Sequence, residues 1–160
     1  MQGVEQTYSR GAFAGALALA VALGSLHAFS VILAPLEHQV AASRTATSLV
    51  YSTSILALTG GVLVSGAVSR RLSASATSLA VAVIAGLGLA LAGIAKSYLP
   101  VLLGFGLMFG AANGIGYVLF LQQATRALPG SSGLASGLAT AAYAVGAMVF
   151  SWAFTALAES

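Results

Sequence analysis

Long uncharged stretches alternate with short charged or polar breaks along this chain of 160 residues. The stretches without Lys, Arg, Asp or Glu cover residues 11–36, 45–69, 72–95, 97–125 and 127–158. An α-helix rises about 1.5 Å per residue, so about 20 apolar residues cross the hydrocarbon core of a bilayer. Each stretch is long enough to cross once. The pattern therefore predicts five transmembrane helices.

Turn signals between the stretches refine the predicted helix boundaries. Pro35 indicates the end of the first helix, and Lys96 indicates the end of the third. Pro100 suits the first turn of the fourth helix, where a proline removes no helical hydrogen bond. The cluster Pro129–Gly133 is typical of a turn. The predicted helices cover approximately residues 11–36, 45–69, 77–95, 99–128 and 133–158 of a single domain, residues 1–160.

The predicted fold class is all-α, a polytopic membrane helix bundle. Short connections predict that consecutive helices pack as antiparallel neighbours. Thr45, Thr47 and Ser48 are candidates to cap the first turn of the second helix. Glycines spaced four residues apart allow helix backbones to approach closely in lipid. Two such faces occur, one formed by Gly106, Gly110 and Gly114 and the other by Gly133 and Gly137.

Composition excludes several classes of function. Only 6% of the residues are charged and 59% are hydrophobic, whereas soluble domains carry about 25% charge. The net charge of +3 is too small and scattered for a nucleic-acid surface. The chain has no Cys and no Asp, so disulfides, thiolate metal sites and paired aspartates are excluded. We therefore expect no enzymatic function, no catalytic residues, no metal site and no cofactor.

Charges at the helix ends predict the orientation in the membrane. Cytoplasmic segments of membrane proteins carry an excess of Lys and Arg. With the N-terminus inside, the inner segments hold Arg10, Arg70, Arg71 and Arg126, and the outer loops hold Arg44 and Lys96. This distribution favours a multi-pass protein of the cell membrane with a cytoplasmic N-terminus.

Polar side chains inside the spans are candidates for a binding site, because burying them in lipid is costly without a partner. His27 and Ser30 share one face of the first helix, and Asn113 and Tyr117 share one face of the fourth. Tyr143 lies on a polar stripe of the fifth helix. These residues either contact a ligand or form hydrogen bonds between helices. Because the stripes carry no charge, they favour a half-site that awaits a charged partner over a self-contained ion channel.

Two blocks of the sequence resemble major facilitator superfamily transporters. The first block, residues 24–37 with Ser43–Thr45 and Ser48–Leu49, is similar to the first two helices of the oxalate/formate antiporter and monocarboxylate-transporter-like group. The second block is similar to the fourth helix, the following turn and the fifth helix of that group. It comprises Gly104–Gly106, Gly110, Asn113–Tyr117, Arg126–Pro129 and Gly133–Gly137.

The chain departs from the pattern of that superfamily at two turns. In the loop after the second helix, Arg70 stands where the superfamily usually has Asp, and Ser73 stands where it has Gly. Ser132 replaces an Arg that often precedes the fifth helix. The resemblance covers most of an N-terminal half of six helices, whereas such transporters have twelve helices in two halves with the substrate between them.

The resemblance implies alternating-access transport of a small organic anion, a monocarboxylate or a dicarboxylate, by a carrier that this chain forms only in part. His27, Tyr117 and Tyr143 match positions near the substrate cavity, with Asn113 and Ser30 in support. The expected partners are the anion, the lipid bilayer and a second transporter half, with no nucleic acid. The alternative is a non-transporting membrane protein whose glycine faces mediate helix association within a larger complex.

Overall fold

The computed structural model of the chain describes the backbone of residues 2–158 and the side chains of residues 11–156. All regular structure in this part of the chain is helical, which confirms the all-α class. Glu5, Arg10 and Glu159, which contribute to the charge pattern, lie outside the described side chains. Five helices are long and apolar enough to span a bilayer, and we number them first to fifth: Gly11–Val40, Arg44–Arg71, Ala74–Gly93, Tyr98–Ala127 and Pro129–Ala156.

The first helix changes its winding twice. An α-helical segment, Gln2–Gly24, is followed by the 3₁₀ turn Ser25–Ala28 and by a second α-helical segment, Phe29–Val40. The helix therefore continues through Pro35 to Val40, one turn beyond the predicted end near residue 36. The added turn buries Val40 and lets the Gln39 amide donate to Ala95 O at 2.8 Å. These contacts offset the one helical hydrogen bond that a proline removes.

Serine residues outside the predicted boundaries cap the second and third helices. Ser43 Oγ accepts from the Ala46 N–H at 3.3 Å, and Ser73 Oγ accepts from the Ala76 N–H at 3.2 Å. The second helix is thus capped by Ser43 and not by the three hydroxyl residues after it. The third helix begins at Ala74, earlier than the predicted residue 77, and ends at Gly93 instead of residue 95.

The fourth helix lies at the centre of the bundle and contacts each of the other four. Its α-helical winding widens to π-helical winding over Leu102–Phe109. The most extensive helix contacts join the second to the fourth, the first to the fifth and the third to the fourth. The second and third helices touch very little, so the prediction that consecutive helices are the main neighbours was wrong for this pair.

Glycines set which helices approach most closely. A Cβ atom on Gly110 or Gly114 would collide with the backbone of the second helix at Ser54 or Leu58, and a Cβ on Gly61 would collide with the fourth helix. Close approach of this kind favours association of helices in lipid. The first predicted glycine face is thus confirmed as a packing surface. An added Cβ on Gly133 or Gly137 would meet no other described part of the chain within 4 Å, so these two glycines pack against no other described helix.

Candidate functional site

The break in the first helix carries His27 near the centre of the span. In 3₁₀ winding an N–H pairs with the carbonyl three residues back instead of four. This winding directs the His27 N–H to Gly24 O and leaves Leu23 O without its usual α-helical donor. Both His27 and Ser30 are exposed on the surface of the bundle. The break thus frees a backbone carbonyl on the inside of the bundle and presents two polar side chains on the outside.

Asn113, which is completely buried, satisfies the freed carbonyl. Its Nδ2–H donates to Leu23 O at 2.6 Å, and its Oδ1 accepts from the Tyr143 hydroxyl at 2.9 Å. A buried amide needs such partners because an unpaired polar group in an apolar interior is costly. Asn113 therefore joins the first, fourth and fifth helices through one side chain near mid-span.

The buried ring of Tyr143 contacts both of the other aromatic residues predicted for the site. Its centroid lies 5.5 Å from that of His27 and 5.7 Å from that of Tyr117, both with edge-to-face geometry. Edge-to-face pairs stabilise aromatic clusters beyond the burial of area. His27, Asn113, Tyr117 and Tyr143, predicted from three separate helices, thus lie in one cluster, which we call the central polar cluster.

Tyr51 of the second helix completes the central polar cluster and was not predicted as a site residue. Its hydroxyl lies 2.9 Å from His27 Nδ1, and its ring stacks on Phe29 with a centroid distance of 5.8 Å and an interplanar angle of 15°. The helical periodicity of the second helix could have identified Tyr51 from the sequence. Tyr51 is in helical register with Ser54 and Gly61, which face the fourth helix.

Ser30 lies apart from the hydrogen bonds of the central polar cluster. It is exposed, one turn beyond His27, and no hydrogen bond of its hydroxyl occurs among the described residues. The Tyr117 hydroxyl likewise forms no hydrogen bond to a described residue, although its ring is half-buried. These two hydroxyls and the outer edge of His27 are the polar groups that a ligand could meet.

Two described cavities lie away from the central polar cluster. One of about 470 Å³ lies between the first, third and fourth helices and is lined by Gly11, Gly15, Ser78 and Gln123 among others. The second, of about 210 Å³, is bordered by Ser73 and Arg126. Because His27, Tyr117 and Tyr143 border neither of them, a shared cavity for these three side chains stays a prediction.

The central polar cluster contains no charged side chain. Among the described residues, the one ion pair joins Arg44 Nε to Glu37 Oε1 at 3.6 Å, where the first helix ends and the second begins. No group of three metal-ligating side chains occurs in the described part of the chain. The cluster can therefore exchange hydrogen bonds and, through His27, a proton.

Comparison with known proteins shows that the chain is similar in sequence to a transporter. It is 26% identical, over 146 residues, to a protein of Escherichia coli (strain K12) named "Uncharacterized MFS-type transporter YhjX", where MFS denotes the major facilitator superfamily. The aligned region covers 91% of this chain and 36% of that protein, so the chain spans about a third of its relative's length. No family model and no solved structure matches the chain. The similarity supports membership of this multi-pass membrane chain in the major facilitator superfamily.

Proposed function

We propose that the chain forms part of a major facilitator carrier that moves a small organic anion across the cell membrane by alternating access. The relative is named as a transporter and not as an enzyme, which supports a transport function. The observation that carries the proposal is the central polar cluster, in which His27 is bonded to Tyr51 near mid-span and yet exposed. Carriers of this kind bind substrate near the bilayer midplane, at the interface between two helix bundles.

The groups open to a ligand favour an acceptor-rich substrate. His27, Ser30 and Tyr117 can each donate a hydrogen bond, and carboxylate oxygens accept such bonds strongly. A monocarboxylate or a dicarboxylate such as formate, lactate or oxalate matches this set of donors. The Tyr143 hydroxyl donates to Asn113, which leaves the ring of Tyr143 to face His27. Tyr143 therefore supports the site through its ring contact with His27.

The missing positive charge supports a second helix bundle as partner. The described Lys and Arg side chains lie at helix ends, away from His27. An anion at the centre of a bilayer needs a countercharge, since an unpaired charge there is costly. We propose that a second half supplies this charge and that the two bundles rock against each other, in exchange for another anion if the carrier is an antiporter. The N-terminus is cytoplasmic in this arrangement.

Transport assays on reconstituted vesicles test the proposal. Purified chain in proteoliposomes is given labelled oxalate, formate or lactate, and both uptake and saturable binding are measured for the wild type, His27→Ala and the control Thr59→Val. The Thr59 hydroxyl is exposed, and its one hydrogen bond to a described residue is to Ile55 O of its own helix, so its loss should change neither quantity. We expect His27→Ala to abolish binding of the transported anion. Vesicles that neither take up nor bind any of the three anions would overturn the proposal.

A second candidate function rests on one specific surface. Gly133 and Gly137 are exposed, lie four residues apart and contact no other described helix. Small-residue faces of this spacing mediate helix association in membranes. The chain would then be a non-transporting member of a larger membrane complex. Co-purification of a partner that is lost in Gly137→Leu, together with an absence of anion binding, would favour this function over transport.

A further inference from the structure

The His27–Tyr51 contact determines which ring nitrogen of His27 faces a ligand. Neutral histidine carries one proton on either Nδ1 or Nε2, and the hydrogen bond made by one nitrogen fixes the state of the other. Here Nδ1 lies 2.9 Å from the Tyr51 hydroxyl. Because the His27 side chain is otherwise exposed, Nε2 is the nitrogen available to a ligand.

Two arrangements of the protons are possible, and they differ in how many groups are left unpaired. If Tyr51 donates to Nδ1, the proton of His27 lies on Nε2. The Nε2–H is then the one donor of the His27–Tyr51 pair that has no partner among the described residues. If Nδ1–H donates to Tyr51, the phenolic proton and the Nε2 lone pair both lack partners among the described residues. Unpaired polar groups are costly in an apolar environment, so the first arrangement is favoured.

The packing around Tyr51 holds its hydroxyl in position. Its ring stacks on the buried ring of Phe29, which in turn packs on Phe105 of the fourth helix with a centroid distance of 4.7 Å. The ring of Tyr143 contacts His27 edge to face and limits rotation of the imidazole. Both partners of the hydrogen bond are therefore fixed by rings from other helices.

We propose that Tyr51 is a positioning residue that sets the Nε2–H tautomer of His27, so that the candidate site offers a hydrogen-bond donor to its ligand. The inference deepens the proposed function and rests on it, because the Nε2–H donor has a function only if the site binds a substrate. The tautomer itself does not depend on transport. A donor at this position selects ligands with acceptor oxygens, such as carboxylates, over ligands that are donors only.

Nitrogen-15 NMR of ¹⁵N-histidine-labelled protein in lipid nanodiscs tests the inference without a substrate. The chain has only two histidines, and His38→Gln assigns the two sets of signals. The experiment is run at about pH 8.5, well above the usual histidine pKa of about 6.5. We expect wild-type His27 to carry its proton almost entirely on Nε2, while exposed His38 serves as the internal reference.

The variant Tyr51→Phe removes the hydroxyl but keeps the ring that stacks on Phe29. We expect the tautomer ratio of His27 to change by about fivefold or more toward Nδ1–H, since one hydrogen bond is lost. The matched control Tyr98→Phe, in which a hydroxyl near the outer end of the fourth helix is removed, should leave the ratio unchanged. A wild-type proton on Nδ1, or an unchanged ratio in Tyr51→Phe, would overturn the inference. Either result leaves anion binding to be tested separately, so it is distinguishable from failure of the proposed function.

Discussion

At the scale of single residues, the polar side chains inside the spans could be identified from sequence, but their partners could not. His27, Asn113 and Tyr143 stand out because polar residues are rare and costly at mid-membrane depth. That Asn113 satisfies Leu23 O, 90 residues away along the chain, depends on the 3₁₀ turn in another helix. Sequence periodicity within one helix carries no information about such a pairing.

The Asn113 side chain should contribute measurably to stability. In Asn113→Leu, Leu23 O and the Tyr143 hydroxyl both lose their partner in a buried position. We expect a loss of about 1–3 kcal/mol in the free energy of unfolding, the usual cost of unpaired buried polar groups. Reversible unfolding by SDS in mixed micelles measures it. Thr59→Val, which affects only an exposed hydroxyl, is the control. Equal stability of Asn113→Leu and the wild type would contradict the assigned hydrogen bonds.

At the scale of helices, the sequence predicts the number and approximate positions of the spans better than their neighbours. Length and hydropathy alone determine whether a segment can cross a bilayer. Which helices touch depends on the small residues on each face, and these connect the second helix to the fourth through Gly61 and Gly114. The continuation past Pro35 was missed because it depends on contacts with the end of the third helix, among them the Gln39 hydrogen bond to Ala95 O.

Adjacent glycines of the second helix offer a matched test of this packing. A Cβ on Gly61 would collide with Ala111 O of the fourth helix, whereas a Cβ on Gly60 meets no other described atom within 4 Å. We expect Gly61→Ala to destabilise the bundle by about 1–3 kcal/mol, the usual cost of overpacking. Gly60→Ala should be neutral or stabilising by up to about 1 kcal/mol. Unfolding in mixed micelles compares the two, and an equal effect would show that the helices do not cross at Gly61.

At the scale of the whole molecule, five spans with positive charges mainly at one end predict a definite orientation. The chain has no native Cys, so single cysteines report accessibility without background. We expect Ser97→Cys, between the third and fourth helices, to react with a membrane-impermeant maleimide in intact cells. Ser131→Cys, at the start of the fifth helix, should react only after permeabilisation. The opposite pattern would contradict a cytoplasmic N-terminus.

The resemblance found in the sequence and the similarity to the E. coli protein both point to the major facilitator superfamily. Composition excludes a soluble fold because so few residues are charged. It does not identify a substrate, because the central polar cluster supplies only neutral donors and no charge that would fix the ligand's size or valence. The substrate is therefore identified by measuring the binding of candidate ligands.

The most direct test of a half-site for an organic anion at His27 is titration of its ¹⁵N signals with candidate ligands. The labelled chain in nanodiscs receives oxalate, formate or lactate, with chloride as the control for ionic strength. We predict a saturable shift of His27 Nε2 with at least one carboxylate, no such shift with chloride, and no saturable shift of His38. Signals of His27 that do not respond to any of the three carboxylates, or that move only in parallel with His38, would contradict the account.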